Sequence, residues 1–199
     1  MTMSNVQSPS FPAIFAEGRT HSAFRDEPIS DTLLRTVWDI ARMGPTAMNM
    51  GSLRVLFVRS KEGKERLRPT LSAGNVDKTM SAPVTAIFAF DVDFHEHLPK
   101  LFPHAAGARE RFAAQTEEER APGARMNATL GAGYFILAAR SQGLDCGPMG
   151  GFDAKKVDAE FFAGTSWRAL FLCNLGYGVP EKLHPRAPRL DFDEACKVG

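Results

Sequence analysis

The chain has 199 residues, enough for one domain with a sizeable core, and its 44% hydrophobic and 24% charged residues are ordinary for a globular protein. Lysine and arginine number 24 against 23 aspartate and glutamate, a balance that argues against nucleic acid or an anionic membrane surface as partner. Three scattered cysteines, Cys146, Cys173 and Cys196, make neither a disulfide framework nor a zinc site, so a reducing cytoplasm is expected. No apolar run approaches ~20 residues and the start has no apolar core segment, so neither a membrane span nor a signal peptide is expected.

Residues 1–10 are polar and expected to be mobile, and 11–17 read as a short helix closed by Gly18. Arg19-Thr20-His21-Ser22-Ala23-Phe24 reads, taken alone, as a solvated loop with one buried aromatic. Ser30 is an N-cap and Asp31 suits the helix dipole; Leu33, Leu34, Val37, Trp38, Ile40 and Ala41 then recur at helical spacing. Gly44-Pro45 stops this helix because proline cannot continue it. A turn through Thr46, Ala47 and Asn49 leads into a buried strand near 53–59. Helix, polar turn and strand can expose hydrogen-bonding groups at a sheet edge, and can equally be an ordinary connection. Asn49, which donates and accepts at once, fits either a ligand contact or a buried turn.

Residues 61–71 read as a charged amphipathic helix, and Asn75-Val76-Asp77-Lys78 opens another, with Asn75 and Lys78 on one face. A second buried strand covers 83–91. Residues 91–104 hold His95, His97 and His104 among acids but lack a ligand spacing, so no metal site is predicted. This segment is read as a mobile cover, with Phe102, His104 or Arg109 as substrate contacts. Residues 107–125 are helical in part, with an interruption at Pro122-Gly123. From 126 to 141 a helix of small residues carries Leu130, Tyr134, Leu137 and Ala138 on one stripe, as a central core or dimer helix would. Gly143 ends it, and the turn Gly147-Pro148-Met149-Gly150-Gly151 can bring backbone N–H groups against a flat ligand. Asp153 caps a helix to Phe161, and a third strand covers 168–175. Gly176-Tyr177-Gly178 opens no helix, so a dinucleotide fingerprint fails. Residues 179–199 form a Pro-rich tail.

In order and spacing these short motifs resemble the nitroreductase-like flavoproteins over nearly the whole chain. The resemblance implies one α+β domain across 1–199, a central, mostly antiparallel sheet flanked by helices, and an intertwined homodimer with FMN at the interface. It assigns the flavin phosphate and ribityl chain to Arg19 and Thr20, with Ser22 replacing a second basic residue, and to Arg186 in the tail, where His184 stands for a usual Lys. Pro45, Thr46, Ala47 and Asn49 match the family's Pro-Ser-Ser-x-Asn, whereas Gly51, Ser52 and Leu53 depart from the Gln-Pro-Trp that follows. Asn75 and Lys78 would hold the pyrimidine edge, and the Gly150 and Gly151 amides N5 and O4, with Pro148 and Met149 covering the ring.

No catalytic side chain is expected. NADPH or NADH would pass hydride to flavin N5, and a second substrate would take it from there in a ping-pong cycle. Leu67-Arg68-Pro69, Leu101-Phe102-Pro103-His104, Gly143-Leu144-Asp145 and Phe161-Phe162-Ala163-Gly164 further resemble the branch that reduces malonic semialdehyde to 3-hydroxypropanoate in pyrimidine utilisation. A broad nitroaromatic or quinone reductase of the same fold is the alternative, followed by a non-enzymatic flavin-binding protein.

Overall fold

The structure is a computed structural model and describes residues 10–199, so the expected mobility of 1–9 lies outside the described residues. Four strands form one antiparallel sheet: β1 (Leu53–Val58), β2 (Val84–Asp91), β3 (Asp145–Met149) and β4 (Trp167–Gly176), in the order β1-β2-β4-β3. The helices are α1 (Phe11–Ala16), α2 (Asp31–Ala41), α3 (Lys61–Leu67), α4 (Val76–Ser81) and α5 (Leu98–Leu101). They continue with α6 (Ala108–Ala113), α7 (Glu117–Ser141), α8 (Ala154–Phe161) and α9 (Phe192–Ala195). Among the described residues no helix is long and apolar enough to cross a membrane.

β2 is buried at every position, as a central strand covered on both faces must be. Its side chains alternate between two cores. Ala86, Phe88 and Phe90 meet α2 and α7, while Ile87 and Ala89 meet Leu67, Val157 and Phe162 from the α3–α8 side. Phe88 lies between Phe135 of α7 and Phe171 of β4, with ring centroids 5.3 and 4.9 Å away. These aromatic contacts fasten the long helix to the middle of the sheet.

Three expectations are corrected. The break at Pro122-Gly123 is absent, and α7 runs unbroken for 25 residues. Pro122 cannot donate to the Glu118 carbonyl, but a Thr116–Glu119 capping box fixes the start of the helix, and Ala124, Asn127 and Ala128 bury it against the sheet. Gly147 to Met149 is no turn: Asp145–Met149 pairs with β4 as an edge strand, a position that tolerates Pro148. The helix expected to reach residue 71 stops at Leu67, and a 3-10 turn Arg68–Thr70 follows at Pro69.

Of the two roles its stripe allows, core or dimer helix, α7 does not give Leu130 the core one. Alanines and glycines meet the sheet, and Gly131 leaves room for Leu53, whose side chain would stand 3.1 Å from a Cβ there. Met126 and Leu130 face outward, 58% and 45% exposed, and with Phe15, Tyr134 and Leu137 they line an open apolar groove of about 720 Å³.

On the opposite side of the sheet a polar network positions α4. Buried Lys64 donates to the Thr79 carbonyl (2.8 Å) and the Thr85 hydroxyl (2.6 Å). Thr85 donates to Asn174 Oδ1 (2.7 Å), and Asn174 Nδ2 donates to the Lys78 carbonyl (3.0 Å). Two carbonyls of α4 are thus satisfied by side chains beneath them. Burial pushes the Lys64 pKa from about 10.5 down to about 8, so between those values the unfolded chain binds more protons than the folded one. Stability should therefore rise with pH across that window relative to Lys64→Met, measured by chemical denaturation. A flat difference would contradict the buried-lysine account.

Candidate functional site

Most of the residues singled out from the sequence gather along the outer edge of β3. Thr20 forms a parallel bridge with Cys146, His21 N–H donates to the Cys146 carbonyl (3.2 Å), and Phe24 bridges Gly178. The segment therefore extends the sheet rather than floating in solvent. The buried His21 ring fits because position 178 is glycine: a Cβ there would lie 2.0 Å from Nδ1. Its Nε2 is 3.3 Å from Asp145 Oδ1, and Asp145 Oδ2 accepts the Gly178 N–H (2.8 Å).

The tail returns to the same place. Arg19 donates to the His184 carbonyl, and Arg186 Nη2 donates to the carbonyls of Ala16 (2.7 Å) and Gly18 (3.1 Å). Arg19, Thr20 and Arg186 are thus neighbours, with Ser22 exposed beside them.

At the far end of β3, the Asn75 amide donates to the Gly151 carbonyl (2.6 Å), which also accepts from Ser72 N–H (3.0 Å). A Cβ at Gly151 would stand 2.4 Å from Asn75 Nδ2, whereas nothing comes within 4 Å of one at Gly150. Neither Gly150 nor Gly151 spends its backbone N–H on any hydrogen bond among the described residues. Two adjacent donors therefore stand open, and the half-buried Lys78 lies on α4, the helix that Asn75 caps. Pro148 and Met149, adjacent on a strand, project to opposite faces, and the Met149 sulfur accepts from Thr79 Oγ1 (3.6 Å).

Pro45, Thr46, Ala47 and Asn49 lie elsewhere, beside β1 at the opposite edge of the sheet. Met48 and Asn49 both have left-handed φ, 52° and 48°, uncommon for non-glycine residues and costly enough to need several restraints. Those restraints are Ala47 N–H to Asn127 Oδ1 (2.8 Å), Tyr134 Oη to the Pro45 carbonyl (3.0 Å) and Asn49 Nδ2 to the Leu101 carbonyl (2.9 Å). The loop borders a cavity of about 500 Å³ whose wall includes Trp38, Arg42, Arg54 and Tyr134. Arg54 is committed to the buried Asp91 (2.6 Å), which Ser166 also contacts (2.6 Å).

The expected cover is rooted rather than loose, since Phe94 and Leu98 are buried in the core. Its three histidines diverge: His95 is buried, His97 faces Asp91 with Nε2 4.0 Å from Oδ2, and His104 packs on Phe102 with ring centroids 4.5 Å apart. Arg109 is held by Glu96 (2.9 and 3.0 Å).

Sequence reasoning missed His21, Asp145, Asn127 and Tyr134 as supports. Asn127 alone carried a signal, as an amide on a helix face otherwise built of alanine, glycine and Phe135.

The sequence pattern described as "Nitroreductase family" matches residues 16–177. The chain belongs to the nitroreductase family. A "Putative NADH dehydrogenase/NAD(P)H nitroreductase" of Leptothrix cholodnii is 59% identical over 185 residues, covering 93% of each chain. A protein of the same description from Stutzerimonas stutzeri is 53% identical over 198 residues, covering 98% of each. Among solved structures, a "putative nitroreductase" of Bacillus subtilis superposes with TM-score 0.85 at 21% identity, covering 95% of this chain and 98% of that one. A second, from Exiguobacterium sibiricum and in complex with FMN, gives 0.83 at 18%, covering 96% and 98%. These likenesses show the nitroreductase-like fold.

Gly151→Ala should destabilise the protein by about 1–3 kcal/mol in chemical denaturation, because the new methyl displaces Asn75 from its bond. Gly150→Ala should stay within about 0.5 kcal/mol. Equal losses would contradict the geometry at this turn.

Proposed function

We propose that the protein is an FMN-dependent NAD(P)H oxidoreductase acting as a homodimer. The observation that carries this reading is the pair of open backbone N–H groups at Gly150 and Gly151, backed by Asn75 at the start of the helix that bears Lys78. From Cys146, next to Thr20, to Gly151 the chain advances about 17 Å at ~3.4 Å per residue, comparable with an extended FMN. Arg19 and Arg186 at one end suit a phosphate, which a planar guanidinium fork grips well. Gly150, Gly151, Asn75 and Lys78 at the other suit the ring. The residues present fit the cofactor.

FMN, when bound, supplies two-electron chemistry, taking hydride from NAD(P)H at N5 and yielding it to a second substrate. The protein binds and orients: the glycine amides fix the ring edge, and the Lys78 ammonium favours added negative charge there. Nothing in this scheme requires a side-chain nucleophile.

A second copy is part of the reading. The Pro45–Asn49 loop and the β3 edge stand at opposite edges of one sheet, so the loop reaches a flavin only if a partner brings it. The outward apolar face of α7 offers a surface for such a pair. The unpaired cysteines, two of them buried, suit a reducing compartment such as the cytoplasm.

For the acceptor we favour malonic semialdehyde, on the resemblance and on one feature of the cavity. Among the described residues its Arg42 pairs only with Asp39 (2.9 Å), in a largely exposed contact that a substrate carboxylate can displace cheaply. Reduction of nitro compounds, in keeping with the descriptions of the relatives, is the second reading.

The purified protein should bind FMN and lose its absorbance near ~450 nm when NADPH or NADH is added without air. Malonic semialdehyde should then restore the colour faster than a nitroaromatic or a quinone. Faster reoxidation by the nitroaromatic favours the second reading, and FMN that no nicotinamide bleaches would overturn the enzyme assignment.

A further inference from the structure

Three guanidiniums, not two, converge where residues 16–19 meet the tail. Besides Arg19 and Arg186, Arg140 in the last turn of α7 reaches this segment: its Nη2 is 3.4 Å from the Arg19 carbonyl. Its Nη1 lies 2.7 Å from where a Cβ of Gly18 would stand, a position the Ile14 carbonyl oxygen, 2.3 Å away, already denies to any side chain.

Arg140 makes no hydrogen bond to the carbonyls of its own helix end. A basic residue in the last turn ordinarily serves the terminal carbonyls. Here the carbonyls of Ala138, Ala139 and Arg140 are already taken by the backbone N–H groups of Gln142, Leu144 and Gly143. Nor does an acid neutralise the cluster: none of the ion pairs among the described residues includes Arg19, Arg140 or Arg186. The three are held only by carbonyl oxygens, of Ala16, Gly18, Arg19 and His184. Like charges gathered without a counter-charge repel one another, and a dianion placed among them relieves that repulsion.

We infer that Arg140 is a third phosphate-binding residue, donating to the FMN phosphate beside Arg19 and Arg186. It supplies a permanent guanidinium charge where Ser22 and His184 stand in place of the basic residues of the resembled motifs. This inference rests on the flavin reading, and names a residue on a different element from either motif.

The test compares the affinity of the flavin-free protein for FMN and for riboflavin, which lacks the phosphate, by quenching of flavin fluorescence. Arg140→Met should weaken FMN about 10- to 100-fold, the range that a charge-assisted hydrogen bond commands, and leave riboflavin within about twofold. Arg140→Lys should recover part of the loss. Unchanged FMN affinity, or equal losses for both flavins, would overturn the inference in favour of a purely structural role. Failure of the unaltered protein to bind FMN would instead sink the flavin reading itself, and with it the ligand assigned here.

Discussion

Everything about the site follows from how β2 and β4 are buried. A fully buried β2, with β4 buried from Leu172 onward, leaves chiefly the outer margins of a four-stranded sheet for polar work. α7 closes one face with alanine and glycine, so it lies close, and Phe135 locks it between β1 and β2. Polar backbone groups without partners are then affordable only at the rims. That is where the open Gly150 and Gly151 amides stand, and where the strained Met48–Asn49 turn is found.

The two rims are built differently. At β3 the edge is covered by the chain's own first residues after α1, and the cover is keyed by glycines. Gly178 admits the His21 ring, Gly151 admits Asn75, and Gly18 admits Arg140. At the β1 side a loop in an uncommon conformation is restrained by Asn127, Tyr134 and the Leu101 carbonyl. Such restraint fits a surface shaped before its ligand arrives, because less ordering is left to be done on binding.

Much of the fold could be read in the sequence because its signals are local. The Ser30 cap, the stop at Gly44-Pro45, the strand runs and the Asp153 cap depend on near neighbours, and each stands where the spacing places it. The failures share a cause. Pro122 and the Gly147-Pro148 pair are local breakers overruled by distant partners, the sheet beneath α7 and the neighbouring β4. Between the core and dimer roles of the Leu130 stripe the sequence did not decide, because mostly small residues with Phe135 form the buried face of α7. In the candidate site, motif residues were visible, but their supports were not. His21, Asp145 and Arg140 act across long sequence separations, and no local pattern announces them.

The proposed site takes its β3 edge from one chain and its Pro45–Asn49 loop from another. Subunit complementation tests it most directly. A chain blocked at the edge by Gly151→Leu and one blocked at the loop by Thr46→Tyr should each be inactive alone. Co-expressed, they form symmetric and mixed dimers, and each mixed dimer carries one site with both halves intact. NAD(P)H oxidation should then return to about a quarter of the native level, as random pairing in a two-fold dimer requires. No recovery, from mixed dimers shown to have formed, would contradict a site shared between two chains.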